Sequence, residues 1–166
     1  CKFAAEAGTT ITITINRYFL LNTTMQHILI VDDDPDLLEM ITLVLVSQRH
    51  KVTTASCGAA VAGALDGPLP DLILMDIYLG DADGRDLCRQ LKDSSSYGHI
   101  PVLLYSAGYI QQDSIAASGA EDFIAKPFDI YQLRERIDQL ILQSRDAQKK
   151  SPVEEQGDMG ESVTLL

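Results

Sequence analysis

The 166-residue chain has no tryptophan, only three cysteines, and nearly twice as many acids as bases, 24 against 13. Each shortage removes a class of function. Cys1, Cys57 and Cys88 are odd in number and scattered, with no CxxC pair and no histidine at ligand spacing, which argues against a disulfide framework or a zinc site. They read as small buried or half-buried thiols in a reducing, cytoplasmic compartment. Basic surface is also scarce: the net charge is −11, and residues 25–145 alone carry 18 acids against 9 bases. Such a surface repels phosphate backbones and anionic membranes, and Lys149-Lys150 is too short to form a basic patch, so neither nucleic acid nor membrane is expected as a partner. Long apolar runs are missing as well. The stretch from Ile11 to Leu21 is interrupted by Thr12, Thr14, Asn16 and Arg17 and falls short of the ~20 residues of a membrane span.

What is present suits one domain with a tail at each end, since 46% hydrophobic residues are enough for an ordinary core and the length leaves no room for a second. Residues 1–24 differ in pattern from the rest of the chain: Thr10 to Ile15 alternates like a strand, yet no partner hairpin accompanies it. They are expected to be a non-native or disordered extension, with Met25 as the natural start. After Arg145 the composition turns polar, and 147–166 is expected to be a disordered acidic tail.

Between these ends, over 25–146, short apolar runs alternate with helical patterns five times. The spacing predicts strands at Ile28–Asp32, Lys51–Ala55, Leu72–Asp76, Val102–Ser106 and Phe123–Lys126. Leu37, Leu38, Ile41, Val44 and Leu45 mark one helix, opened by Asp34-Pro35, and Leu133, Ile137, Leu140 and Ile141 mark the last. Weaker helices are predicted at Ala59–Leu65, Gly84–Lys92 and Gln111–Ser118. Strand and helix alternating at this spacing imply a doubly wound α/β fold, a five-stranded parallel sheet with helices on both faces. Ligands bind such sheets beyond the carboxyl ends of the strands.

Acids stand at those ends. Asp32-Asp33-Asp34 closes the run Ile28 to Val31, and Asp76 closes Leu72 to Met75. A carboxylate tolerated at the end of a buried strand must face the mouth of the sheet, where water, a cation or a ligand reaches it. Lys126 ends the fifth strand. Clustered carboxylates repel one another, and a hard cation with oxygen ligands, Mg²⁺ above all, relieves that repulsion. Taken singly, each residue has a bland reading: a helix-capping turn for Asp32 to Asp34, a loop cap for Asp76, a solvated lysine, a turn serine at Ser106, a core Phe123. Their joint order and placement carry the argument.

Five blocks of residues, Ile28 to Asp34, Asp71 to Asp76, Asp83-Gly84, Ser106-Ala107 and Lys126-Pro127-Phe128, resemble the receiver domain of two-component response regulators. The likeness spans about Gln26 to Gln143. It implies a flavodoxin-like sheet in the order 2-1-3-4-5, and residue roles correspond by position. Asp76 corresponds to the phosphoacceptor, Asp33 to a direct Mg²⁺ ligand and Asp32 to a ligand through water. The Tyr78 backbone carbonyl would complete the metal's protein ligands. Ser106 corresponds to the phosphoryl-binding hydroxyl and Phe123 to the aromatic switch, and the bond before Pro127 is expected to be cis. The implied partners are a sensor histidine kinase or histidine phosphotransfer protein and a downstream protein target. On this reading the chain is a single-domain response regulator and no enzyme beyond its own phosphorylation and dephosphorylation.

Two departures bear on this. Receivers commonly have Met-Pro three and four residues after the phosphoacceptor, whereas Leu79-Gly80 stand here, so a more mobile loop is expected, with Tyr78 shielding the acyl phosphate. Asp32-x-Asp34 also resembles haloacid-dehalogenase phosphatases, but Asp36 takes the place of their Thr or Val. Such a phosphatase, or a receiver-like scaffold indifferent to phosphorylation, are the competing readings. The Asp81-x-Asp83-Gly84 piece fails as a calcium loop, having Leu79 and Gln90 where ligands belong. His27, His50 and His99 form no motif and are expected at the surface.

Overall fold

In the computed structural model, residues 25–108 and 110–150 are described. Five strands alternate with five helices: β1 His27–Val31, α1 Pro35–Ser47, β2 Lys51–Ala55, α2 Val61–Leu65, β3 Leu72–Asp76, α3 Gly84–Asp93, β4 Val102–Ala107, α4 Gln112–Ala116, β5 Asp122–Lys126 and α5 Ile130–Lys150. All strand pairings in this sheet are parallel, in the order β2-β1-β3-β4-β5. The expected fold and strand order are thus the observed ones.

Alternation within each buried strand sorts the side chains into two layers. Leu29, Val31, Ile73, Met75, Val102 and Leu104 face α2, α3 and α4, where Val61, Leu65, Cys88, Leu91 and Ile115 receive them. Ile28, Ile30, Leu72, Leu74, Leu103 and Tyr105 face α1 and α5, packing on Ile41, Leu45, Leu133, Ile137 and Leu140. Because both faces are covered, β3 is buried along its whole length.

The boundaries differ from expectation where local hydrogen bonding intervenes. β1 stops at Val31 because the Asp32 side chain turns back to accept the Asp34 amide (2.8 Å), beginning the cap of α1. The Asp34 carboxylate then accepts the amides of Asp36 (3.0 Å) and Leu37 (3.2 Å) ahead of Pro35 at the first turn. At the far end of α1, Arg49 takes a left-handed φ of 68°, letting the His50 amide close back on the Leu45 carbonyl. The expected helix Ala59–Leu65 is a 3-10 turn at Gly58–Ala60 followed by the five-residue α2. Helix α4 is also shorter than expected, and β4 and β5 each gain a residue.

Three expectations need correction. The segment after Asp76, expected to be a mobile loop, is a hairpin: Tyr78–Leu79 pairs antiparallel with Ala82–Asp83. Leu79 is buried beneath it, and Asp81 accepts the amides of Gly58 (2.7 Å) and Ala59 (3.0 Å), tying the turn to the 3-10 segment. Helix α5 continues to Lys150, past the expected boundary at 146, because Ala147, Gln148 and Lys149 are good helix formers despite their polarity. His50 is buried rather than on the surface, while His99 is exposed and His27 half-buried. The expectations for 1–24 and 151–166 lie outside the described residues.

Candidate functional site

The acids converge at the carboxyl edge of the sheet because β1 and β3 are neighbours in register, with Val31 beside Met75. Asp32, Asp33 and Asp76 each place a carboxylate oxygen within 4.8 Å of the others, Asp32 and Asp76 buried, Asp33 exposed. Asp33 lies against the hairpin tip, where a Cβ on Gly80 would approach its Oδ2 to 3.2 Å.

Lys126 reaches in from the end of β5. Its Nζ donates to Asp32 Oδ2 (3.1 Å) and Asp76 Oδ2 (3.2 Å). The Lys126-Pro127 bond beyond it is cis, as expected. Asp32 Oδ1 is taken by the Asp34 amide, and Oδ2 also accepts the Tyr105 hydroxyl at 2.7 Å. Asp76 is less well provided. Its Oδ1 is buried without a hydrogen-bond partner, since the nearby Ile77 amide is donated to the Tyr105 carbonyl (3.0 Å). Burial pushes the Asp76 carboxyl above its ordinary range, and Lys126 opposes that shift only in part. An orphaned oxygen beside two further carboxylates suits a hard divalent cation, which would supply the missing positive partner.

The other expected residues fall around this centre. Ser106 is fully buried near the end of β4, and its hydroxyl donates to the Ala107 carbonyl over a long 3.3 Å. Phe123 sits beside Leu104 on the neighbouring strand, half-buried against the α2–α4 layer. Tyr78 opens the hairpin two residues past Asp76 with 57% of its surface exposed. Gly84 closes the site from behind: a Cβ there would lie 2.1 Å from the Asp76 carbonyl oxygen, and its amide donates to the Ile77 carbonyl (2.8 Å). Only glycine lets α3 begin so close to Asp76.

Other acids nearby have structural work. Asp83 caps α3 through the Arg85 amide and pairs with the Arg85 guanidinium at 2.6 Å, and Asp34 caps α1. Asp34 Oδ1 is thus engaged in the helix cap. Tyr105 is the group that sequence reasoning passed over. The signal was a tyrosine within an aliphatic buried strand, since a buried phenol needs a hydrogen-bond partner.

The sequence profile of the response regulator receiver domain matches residues 28–138. The chain belongs to this family of two-component signalling proteins. Among curated receivers it is 33% identical over 128 residues to the DNA-binding response regulator MtrA of Mycolicibacterium smegmatis, a match covering 76% of this chain and 55% of MtrA. It is 36% identical over 113 residues to the response regulator PleD of Caulobacter vibrioides, covering 67% of this chain and 25% of PleD. The chain thus spans about half the length of the first and a quarter of the second. Among solved structures, the receiver domain of the sensor histidine kinase PA1611 from Pseudomonas aeruginosa PAO1 superimposes with a TM-score of 0.65 at 27% identity, covering 71% of this chain and 98% of that one. That structure has a magnesium ion coordinated in its active-site cleft. No helix among the described residues is long and apolar enough to cross a membrane.

Proposed function

We propose that this receiver is a Mg²⁺-dependent switch phosphorylated on Asp76 by a histidine kinase or histidine phosphotransfer protein. The observation that carries the reading is the Lys126 bridge between Asp32 and Asp76 beside an unpartnered Asp76 oxygen. A lysine shared between two acids in the resting state is free to transfer to a third anion.

Asp32 and Asp33 would hold the cation with Asp76, and the Tyr78 carbonyl would complete the protein ligands. The bound ion supplies charge neutralisation for the equatorial phosphoryl oxygens. An Asp76 carboxylate oxygen attacks the phosphorus, the bond from phosphorus to the donor's histidine nitrogen breaks, and the released imidazole takes a proton from water. An acyl phosphate forms on Asp76. Lys126 turns from the carboxylates to the phosphoryl group. Ser106 trades its long bond to Ala107 for a phosphoryl oxygen, and Phe123 turns into the space it leaves. The face of β4, α4, β5 and α5 is thereby repacked for a downstream protein.

The hairpin alters one expectation about the reaction. Held by Asp81 on one side and Leu79 beneath, the segment behind Asp76 is a fixed wall, with the exposed Tyr78 ring at its rim. Helix α1 presents exposed Met40, Leu43 and Val46 on one stripe, an apolar surface suited to a protein partner. The acidic surface argues against nucleic acid as the direct partner of the receiver unit. Free Cys57 and Cys88, the latter's thiol pushed up to about 11 by burial, support a reducing cytoplasm and no thiol chemistry. We read the unit as no enzyme beyond its own phosphorylation and dephosphorylation.

Incubation with Mg²⁺ and acetyl phosphate should add one base-labile phosphate per chain by intact mass. Asp76→Asn should add none and Asp32→Asn far less. Label retained in Asp76→Asn, or repeated hydrolysis of a general phosphoester, overturns the reading.

A further inference from the structure

Tyr105 is fully buried, yet its hydroxyl reaches across 73 positions of sequence to Asp32 Oδ2 at 2.7 Å. Its backbone sits directly beside Asp76, the two being partners in register between β3 and β4. The face of its ring lies 4.6 Å from the Lys126 ammonium, and the edge contact with Phe128, 5.8 Å between centroids, fixes the ring from below. One side chain therefore touches Asp32 and Lys126 and underlies the strand end that carries Asp76.

We propose that Tyr105 is a positioning residue that holds the Asp32 carboxylate for the divalent cation, and keeps holding it when Lys126 leaves. The need for such a group comes from the hydrogen-bond inventory. Asp32 Oδ2 has two donors, Lys126 and Tyr105. The first is mobile under the proposed function, on which this part of the inference rests, because Lys126 must turn to the phosphoryl group. Without the second, a buried carboxylate oxygen would lose its last protein donor at the moment its geometry matters. The phenol is suited to staying. It is fully buried, its ring is held edge-on by Phe128, and its hydroxyl already lies 2.7 Å from Asp32 Oδ2. The ring offers Lys126 a cation–π surface at rest that needs no hydrogen bond, so the ammonium departs without leaving a polar orphan behind.

Tyr105→Phe keeps the ring, the Phe128 contact and the surface under Lys126, and removes only the hydroxyl. Mg²⁺ affinity, measured by amide NMR titration of the full chain without any phosphodonor, should weaken about tenfold, the scale seen when a residue supporting a metal ligand is lost. In an Asp32→Ala background the same change should have no further effect, whereas a packing role would weaken both backgrounds equally. Beryllofluoride, which mimics the phosphoryl group on Asp76, should enlarge the loss because Lys126 has then left Asp32. In the wild type, a slowly exchanging Tyr105 hydroxyl proton should appear and shift on adding Mg²⁺, a readout that needs no variant. Affinity unchanged within about twofold, or an equal loss in both backgrounds, overturns the proposal. A wild type that binds no beryllofluoride sinks the phosphoacceptor reading instead, and the donor-free titration still decides whether Tyr105 holds Asp32.

Discussion

At the amino ends of the strands, Asp71 receives Arg145 on one oxygen (3.1 Å) and the His27 amide on the other (2.8 Å), while Glu121 receives Lys92 on one and the Val102 amide on the other (2.7 Å). At the carboxyl ends, three carboxylates cluster, Lys126 serves only Asp32 and Asp76, and Asp76 Oδ1 receives nothing. The residue types are alike at both ends. What differs is satisfaction: acids at one end are consumed in closing the fold, and acids at the other are left in excess of their donors. An unsatisfied buried acid costs stability, so its retention at one edge only points to chemistry there.

The contrast can be broken from either side. The largest effect is expected for Asp33→Asn, which should weaken Mg²⁺ binding about 100-fold while leaving cation-free stability unchanged, because Asp33 is exposed. Denaturation without metal and an NMR titration with it measure both, and a stability loss with intact binding would make the two ends alike. Next comes Glu121→Ala at the opposite end. It strands the buried Val102 amide and should cost roughly 1–3 kcal/mol in urea unfolding, with Mg²⁺ binding unaltered. Arg145→Ala should cost less, about 0.5–1 kcal/mol, since the Arg145–Asp71 pair is partly exposed and screened by solvent.

The smallest effect sharpens the comparison through pH. His50 is buried with its Nδ1 unpartnered, and burial lowers its pKa below 6.5 against the pull of Asp138. A folded pKa below the unfolded one means that this stability is present above pH 6.5 and is lost as pH falls through the lowered value. His50→Gln should flatten that acid limb in thermal unfolding. Asp138, whose carboxyl burial raises, has the opposite sign and loses stability as pH rises through its folded value. An unchanged limb in His50→Gln would assign the acid sensitivity elsewhere.

The sheet and its pocket could be read from the chain because they rest on local regularities. Each buried strand is an uninterrupted apolar run, each run ends on its functional residue, and a parallel sheet aligns those ends whatever the loops do. Asp32, Asp33, Asp76 and Lys126 meet for that reason. The hairpin eluded the same reading because two-residue strands are too short to alternate, and Gly80-Asp81 was the only turn signal. Tyr105 eluded it because its partner is remote in sequence. Inside an aliphatic strand it passed for a residue of good β propensity, and only the assembled sheet sets its hydroxyl beside Asp32. The end of α5 lies beyond its expected boundary because a polar segment need not be a disordered one: helix propensity and burial are separate properties.

The missing Cβ of Gly84 has a mechanical meaning. With α3 seated directly on the Asp76 carbonyl, no side chain lies between that residue and the start of the helix. The next residue, Arg85, is clamped by Asp83 and extends to the Ser114 hydroxyl on α4 at 3.2 Å. One helix start therefore borders both places, the Gly84 backbone lying against the Asp76 carbonyl and the Arg85 guanidinium against Ser114 of α4.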